Sequence, residues 1–405
     1  MAGQRDGRRI RRWQVVAGLT IGIMASLGCG ALLLGAVGVG VVASTISTIK
    51  WSEASRSPRA LWVSPLPDWP DVAVPAYDGT RVWVVMQRQL LSRAADGSSI
   101  TYWRLPIDRT GLEGASALVR AGSALVVAGR EAVAAVEART GEVRWSHPVA
   151  PGLGGAGRAF ADSTTTWVVD GTGTVHAWAL DSGVERWAAA FGAGACDAGC
   201  RAGGIVVAGD TVYAAVLPVA TADAASRMVL VGGFDRASGR ALFVARVDGQ
   251  PGPLLVPFAV SGPVLLLGGA SGEGVGAFDR FALSWRWRRP VELSASVRYP
   301  ALYEGTLLFA SQGAQLVRLD AVSGDPRGRG NAGEPLAAAA ACPSAHAVLG
   351  GPGIRWLSLE RGHSDGAQPL GRNELVVHLL TAEGRALLVG ARGTLAGFAC
   401  GAPLR

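Results

Sequence analysis

Charge is scarce in this sequence. Asp, Glu, Lys and Arg make up 17 % of its 405 residues, against about 25 % in an average soluble domain. Histidine and cysteine are thin as well, five of each, and no two cysteines are adjacent. His147, His176, His346, His363 and His378 show no metal-ligand spacing. There is no G-x-S-x-G nucleophile elbow. After residue 58 no stretch keeps a helical period with caps, which argues against helical and mixed α/β folds. A dense Lys/Arg stripe is also missing. Five arginines (Arg5, Arg8, Arg9, Arg11, Arg12) against Asp6 carry +4 of the net +7. In "SWRWRRP", Arg286 and Arg288 alternate with Trp285 and Trp287, as on a strand with one exposed and one buried face. No nucleic-acid partner is expected from such a distribution.

The longest gap in charge is at the N-terminus. No charged residue stands between Arg12 and Lys50. Residues 15–45 exceed the roughly 20 apolar residues that a helix needs to cross a bilayer. They also exceed the apolar core of a signal peptide, roughly 7–15 residues. The sequence therefore predicts a basic cytoplasmic tail (1–13), an uncleaved transmembrane helix (14–46) and a linker (47–57). The arginines before the span place the N-terminus in the cytoplasm and the rest in the periplasm or outside the cell. "VVA" at 41–43 and "SLGC" at 26–29 are the weaker signs of cleavage.

Glycine is abundant, 57 residues spread along the chain, and it punctuates a repeat. "AVAAVEARTGEVRW" and "TVHAWALDSGVERW" are both an alternating run, a Ser/Thr-Gly turn and a Trp four residues after the glycine. The turn glycine recurs at Gly97, Gly141, Gly183, Gly239 and Gly324, with Leu283 in its place once and a degenerate copy at Gly366. A second, independent series of small turns, such as "YDGT", "ADST" and "YEGT", precedes the other strands. Both series count eight units of about 40–45 residues, a period characteristic of β-propellers. The fourth unit carries an insertion, residues 218–227. Alternating runs bounded by Gly, Asp and Ser read as four short strands per unit. The expectation is an all-β, eight-bladed β-propeller of four-stranded blades over 58–405. The last unit ends after its third strand. Residues 58–67, with Trp62 in the Trp slot, are expected to close the last blade and remove an open edge.

The repeat quoted best by "AAVEARTGEVRW", "HAWALDSGVERW" and "GAFDRFALSWRW" resembles the pyrroloquinoline-quinone-like (PQQ-like) propeller repeat. The resemblance is similar in kind to the non-catalytic propeller of the outer-membrane barrel-assembly machine and to quinoprotein dehydrogenases. It implies that Trp62, Trp103, Trp145, Trp187 and Trp287, with Phe243 in the fourth copy, are packing residues between blades. Copies four, six and seven depart from the pattern, so packing is expected to be loosest there. In the dehydrogenases the resemblance implies an adjacent Cys–Cys disulfide and a calcium ion held by carboxylates. No such cysteine pair or dense Asp/Asn motif occurs here. Asp78, Asp170, Asp210 and Asp320 read instead as turn residues bonding their own backbone.

"GLGGAG" (152–157) meets the glycine spacing of a dinucleotide site but leads into a strand, so it reads as a loop. Cys196 and Cys200 are expected to form a small disulfide loop outside the cytoplasm. Cys342 and Cys400, on different units, are expected to be unpaired and buried. Together these readings predict a membrane-anchored, non-catalytic scaffold with no cofactor and no metal, binding an envelope protein through loops on one face. The alternatives are a PQQ- and calcium-dependent dehydrogenase or ligand sensor, and a binder of envelope polysaccharide.

Overall fold

The computed structural model describes residues 60–400 except 68–69, 71–72, 74, 109, 152–158, 220–227, 249–254, 270–273, 290–300, 312–314, 332–337, 343–345, 351–352, 359–363, 370–375, 383–384 and 391–392. The tail, transmembrane segment and linker expected over 1–57, most of the insertion and the "GLGGAG" loop lie outside the described residues. No helix among the described residues is long and apolar enough to cross a membrane. Residues 57–405 form one compact unit.

The described elements are strands, and they pair into four-stranded antiparallel sheets, eight in all. Seven sheets take four consecutive strands. The last takes three from the C-terminal end and one from the beginning of the chain. That strand, Trp62–Pro65, pairs antiparallel with Thr394–Ala399, Trp62 opposite Gly397 and Pro65 opposite Thr394. The local cause of the pattern is visible in the second sheet. Ala124–Ala128 and Ala132–Glu137 are apolar on both faces and buried throughout but for Glu137. They lie in the middle of the sheet, while Val143–Pro148 forms its outer edge and is mostly exposed.

From the first sheet to the sixth, and again from the eighth to the first, the sheets bury apolar faces against one another, since one such sheet cannot form a core alone. Trp83, Leu90 and Ile107 of the first sheet and its following loop pack with Leu125, Val127 and Val136 of the second. Val126 and Val133 of the second pack with Val168 and Trp178 of the third. The series continues through the third and fourth, the fourth and fifth, and the fifth and sixth. The first strands of the sixth, seventh and eighth sheets, Ala301–Tyr303, Ala338–Cys342 and Val376–Ala382, lie side by side in that order. Finally Leu387, Val389 and Leu395 of the last sheet pack with Val82, Val84 and Leu91 of the first. The buried Arg93 of the first sheet ties in the N-terminal strand. Its guanidinium donates to the Pro65 carbonyl and, at 3.0 Å, to Ser64 Oγ. The sheets are thus the blades of a β-propeller.

One contact recurs between sheets. The Trp of a fourth strand lies on the glycine turn of the next sheet. Its indole N–H donates to the carbonyl three residues before that glycine. Trp103 reaches Ala138 at 3.0 Å, Trp145 Leu180 at 2.9 Å, Trp187 Arg236 at 3.0 Å and Trp287 Ala321 at 3.2 Å. The glycine is required twice over. At Gly239 φ is +72°, and a Cβ would meet Trp187 Cε3 at 2.5 Å. Trp62 lies across Gly397, and a Cβ on Gly97 would meet its own Cβ at 2.6 Å. The contact between the fourth and fifth sheets is different. Phe243 has no indole N–H, and the turn glycine is replaced by Leu283 at φ +53°. Phe243 lies instead over Gly233 of its own sheet and beside Tyr213, 6.3 Å between ring centroids.

Two expectations are corrected. Cys342 and Cys400 are not free: they form a disulfide, with Cα atoms 5.5 Å apart. Consecutive sheets stand side by side, so the first strand of the seventh reaches the end of the third-position strand in the eighth. Gly366 is not a turn glycine: it lies within the strand Ser364–Pro369, opposite Trp356.

Gly239→Ala should destabilise the protein by about 2–4 kcal/mol, combining left-handed strain with overpacking against Trp187. Leu283→Gly should stabilise it by about 1 kcal/mol, because the strain falls on a solvent-exposed turn. Urea denaturation midpoints check both signs. The double change Cys342→Ala/Cys400→Ala opens a 58-residue loop and should cost roughly 4 kcal/mol by chain entropy, read by the same titration.

Candidate functional site

The fourth sheet is built from longer strands than the rest. Cys200–Ala208, Thr211–Pro218, Met228–Asp235 and Ala241–Asp248 have 8–9 residues, while the third sheet has 3–6. The additional rungs, such as Leu230 opposite Arg246 and Met228 opposite Asp248, extend beyond what the third sheet can cover. Phe243, Ala245 and Val247 of the edge strand face the fifth sheet. By strand alternation Leu242, Val244 and Arg246 face the other way. Leu242 is 47 % and Val244 39 % exposed.

A loop closes over this uncovered face. Residues 191–199 run from the third sheet to the fourth and are fixed at several points. Cys196 and Cys200 form a disulfide, Cα atoms 5.3 Å apart. Gly199 N–H donates to the Cys196 carbonyl at 2.7 Å, Cys200 N–H to Gly171 at 2.8 Å and Val219 N–H to Gly199 at 2.9 Å. Phe191 packs edge-on against Phe234, 5.4 Å between centroids. Between loop and strand lies a cavity of about 550 Å³ lined by Phe191, Cys196, Asp197, Pro218, Leu230, Val244 and Arg246, among others. Its walls are apolar or backbone, with one acid and one guanidinium at the margins. Arg246 has no ion-pair partner among the described residues.

The loop rests on a polar brace. In the turn after Thr165–Val169, the Asp170 carboxylate accepts from Thr172 N–H at 2.9 Å, Thr172 Oγ1–H at 2.7 Å and Thr174 N–H at 2.9 Å. Its other oxygen is 3.3 Å from His176 Nε2, and His176 Nδ1 is 2.9 Å from Glu185 Oε1. The imidazole stacks on Trp178 at 5.0 Å between centroids, with planes 6° apart; His147 also stacks on Trp178, at 5.3 Å. Gly173 of the same turn abuts Cys196: a Cβ there would be 2.4 Å from its Sγ. Burial pushes Asp170 up, but the bonds from His176, Thr172 and Thr174 prevail and hold its pKa below the usual value. Burial likewise pushes His176 down, and its bonds to Asp170 and Glu185 outweigh that and raise it.

The other carboxylates are engaged in turns. Asp78, Asp162 and Asp320 each accept two backbone N–H bonds at 2.7–2.9 Å. Asp162 also pairs with Arg236, and Asp320 with Arg327 at 2.5 Å. No group of three or more His, Cys, Asp or Glu among the described residues could hold a metal. The disulfide at 196–200 joins cysteines four apart, not adjacent ones. The arrangement is an apolar trough with Arg246 in its lining, a guanidinium without an ion-pair partner among the described residues. Sequence reasoning singled out Cys196, Cys200 and the 218–227 insertion, but missed Arg246, the His176 brace and the Cys342–Cys400 pair. The sequence signal for the brace is the short turn between the two strands: antiparallel register sets His176 opposite Val168, and Asp170, two residues on, falls on the same face.

The stabilisation from His176 is complete below its ordinary pKa of about 6.5 and is lost as pH rises through the raised folded value. That from Asp170 is complete above about 3.9 and is lost as pH falls through the depressed one. Thermal stability attributable to the brace should therefore decline from pH 6 toward alkaline pH. His176→Gln should remove that decline, measured as melting temperature against pH for both proteins.

The fold is shared widely among solved structures. BamB from Moraxella catarrhalis superposes with a TM-score of 0.59 at 13 % identity, covering 84 % of this chain and 99 % of that one. The computationally designed Ika8 protein gives 0.64 at 12 %, covering 84 % and 99 %. A europium-containing methanol dehydrogenase gives 0.59 at 12 %, covering 84 % and 93 %. At such identities these likenesses speak for the fold alone. No curated protein matches the sequence. A family profile does: over residues 129–291 the chain matches the PQQ-like β-propeller family described as outer membrane protein assembly factor BamB.

Proposed function

We propose that this protein is a membrane-anchored, extracytoplasmic, eight-bladed propeller that acts as a non-catalytic scaffold for an envelope protein. The observation that carries the proposal is the trough between the disulfide-fixed loop 191–199 and the edge strand Ala241–Asp248. Val244 is exposed there beside Arg246, which has no ion-pair partner among the described residues. An exposed edge strand offers backbone N–H and C=O groups to an extended segment, with alternate side chains supplying specificity. The partner segment is thus an extended stretch with apolar residues at alternate positions and a carboxylate that meets Arg246.

Several features support the rest of the reading. The chain of cores that returns from the last sheet to the first suits a closed ring of eight blades. The two disulfides suit an oxidising compartment outside the cytoplasm. The uncharged stretch after Arg12 suits a single span with the N-terminus inside. The family description, an outer-membrane assembly factor, suits a role in envelope assembly.

A photo-cross-linking residue placed at Val244 in the full-length chain should capture one envelope protein in cells, while the same residue at Arg130 should not. Arg246→Glu should reduce the cross-linked yield about tenfold, as expected for loss of a charge-assisted contact worth roughly 1.5 kcal/mol. Equal yields from the two positions would refute the trough. A saturable rise in melting temperature with pyrroloquinoline quinone and calcium would refute the non-catalytic reading.

A further inference from the structure

The exposed apolar residues are unevenly placed. Ile100, Val143, Val184, Leu242, Phe281 and Leu283 are 41–64 % exposed except for Phe281, at 74 %. All six lie in, or within two residues of, a turn between the third and fourth strands of a sheet. These turns are all at the same end of the sheets, because the strands alternate in direction. Val63 and Tyr102, each the second residue of a fourth-position strand, lie near the same end, and Val244 lies farther along its strand. Scattered exposed apolar residues need no explanation; their concentration at one end does.

The turn of the fifth sheet is the most developed. Where other copies have Arg-Thr-Gly, Asp-Ser-Gly or Ala-Ser-Gly, this one has Phe281, Ala282 and Leu283. Leu283 is held at φ +53°, and Asp279 Oδ1 accepts from Phe281 and Ala282 N–H at 3.0 and 2.9 Å. The result is a stiff, convex, apolar knob in a left-handed conformation that glycine would adopt without strain. Arg280 lies over the Phe281 ring at 4.8 Å and donates to Tyr213 Oη of the fourth sheet at 2.6 Å, whereas Arg286, 42 % exposed, stands beside Asp279 at 4.0 Å.

The chain enters at this same end. The strand Trp62–Pro65 occupies the fourth position in the last sheet, so its beginning, at Leu61, lies where the third-to-fourth turns are. Fifteen residues, 46–60, separate Leu61 from the apolar run, and an extended chain of that length spans at most about 50 Å. Resting on the anchored reading above, we infer that this end of the propeller docks on the membrane, Phe281 and Leu283 entering the bilayer interface and Arg286 meeting lipid phosphates. A convex knob suits a bilayer, which closes around it, and apolar tips flanked by arginines suit the headgroup boundary. The trough edge strand then stands along the side of the propeller, open to a partner.

The test uses the full chain with Cys29→Ser, since the other four cysteines are in disulfides. An environment-sensitive nitrobenzoxadiazole label is placed at Ala282→Cys or, at the opposite end, at Arg130→Cys. Each protein is reconstituted into vesicles of equal parts phosphatidylcholine and phosphatidylglycerol. The label at 282 should shift to the blue with about a doubling of intensity relative to the label at 130. The change should disappear in Phe281→Ser/Leu283→Gly, whose turn is relieved of strain and folds. Identical emission at the two positions would overturn the inference. So would a shift at 282 seen in cell membranes but not in pure lipid, which would assign the knob to a protein. Alkaline carbonate extraction, done after the fluorescence reading, judges the anchor separately: a chain stripped from the vesicles refutes the anchor whatever the label reports.

Discussion

The contact on which the rest depends is an indole laid on a glycine turn. Trp103, Trp145, Trp187 and Trp287 each cover the turn of the next sheet and donate one hydrogen bond to it, as Trp145 does to Leu180 at 2.9 Å. The geometry accepts only a residue without a Cβ and with φ above zero, so Trp and Gly are tied to each other across two repeats. The bond satisfies an indole N–H that burial would otherwise leave without a partner. It also fixes how far one sheet turns relative to the next, and repeated contacts of this kind let a series of sheets come back on itself.

The fourth and fifth sheets illustrate the dependence by exception. Trp gives way to Phe243 and Gly to Leu283 at the same contact, so neither half is lost alone. With the indole gone, the turn has no covering ring and its apolar residues face outward. The neighbouring fourth sheet is also the one with long strands, a disulfide-fixed loop and an uncovered edge. Departures also occur in the sixth and seventh copies, but both surfaces assigned to recognition lie on the stretch formed by the fourth and fifth sheets. In a fold built from one repeated contact, binding surfaces can arise where the contact is relaxed without disturbing the remaining cores.

The disulfides reinforce different levels. Cys196–Cys200 fixes a loop of five residues against a turn held by Asp170 and His176, and sets the wall of the trough. Cys342–Cys400 joins the seventh sheet to the eighth, just after the strand Thr394–Ala399 that pairs with Trp62–Pro65. The N-terminal strand completes that last sheet, and Arg93 bonds it to the first. Closure thus rests on a strand pairing, a buried guanidinium and a covalent bond within a short distance of one another.

The all-β class, the four-strand unit and the strand boundaries of the second copy were legible in the sequence. Alternation, turn glycines and the Trp spacing are local, and a period of 40–45 residues repeats them often enough to be read. Trp62 betrayed the N-terminal strand for the same reason: it sits in a repeat position. The pairing of Cys342 with Cys400, the brace of His176 by Asp170 and Glu185, and the exposure of Arg246 were not legible. Each depends on which residues of adjacent sheets come face to face, or on how far one sheet outgrows the next. Those distances are set by the angle between sheets, a property of packed side chains that no single stretch of sequence contains. The sequence by itself determined the repeating unit and the contact that joins its copies; only the tertiary structure decided which surfaces that packing leaves open.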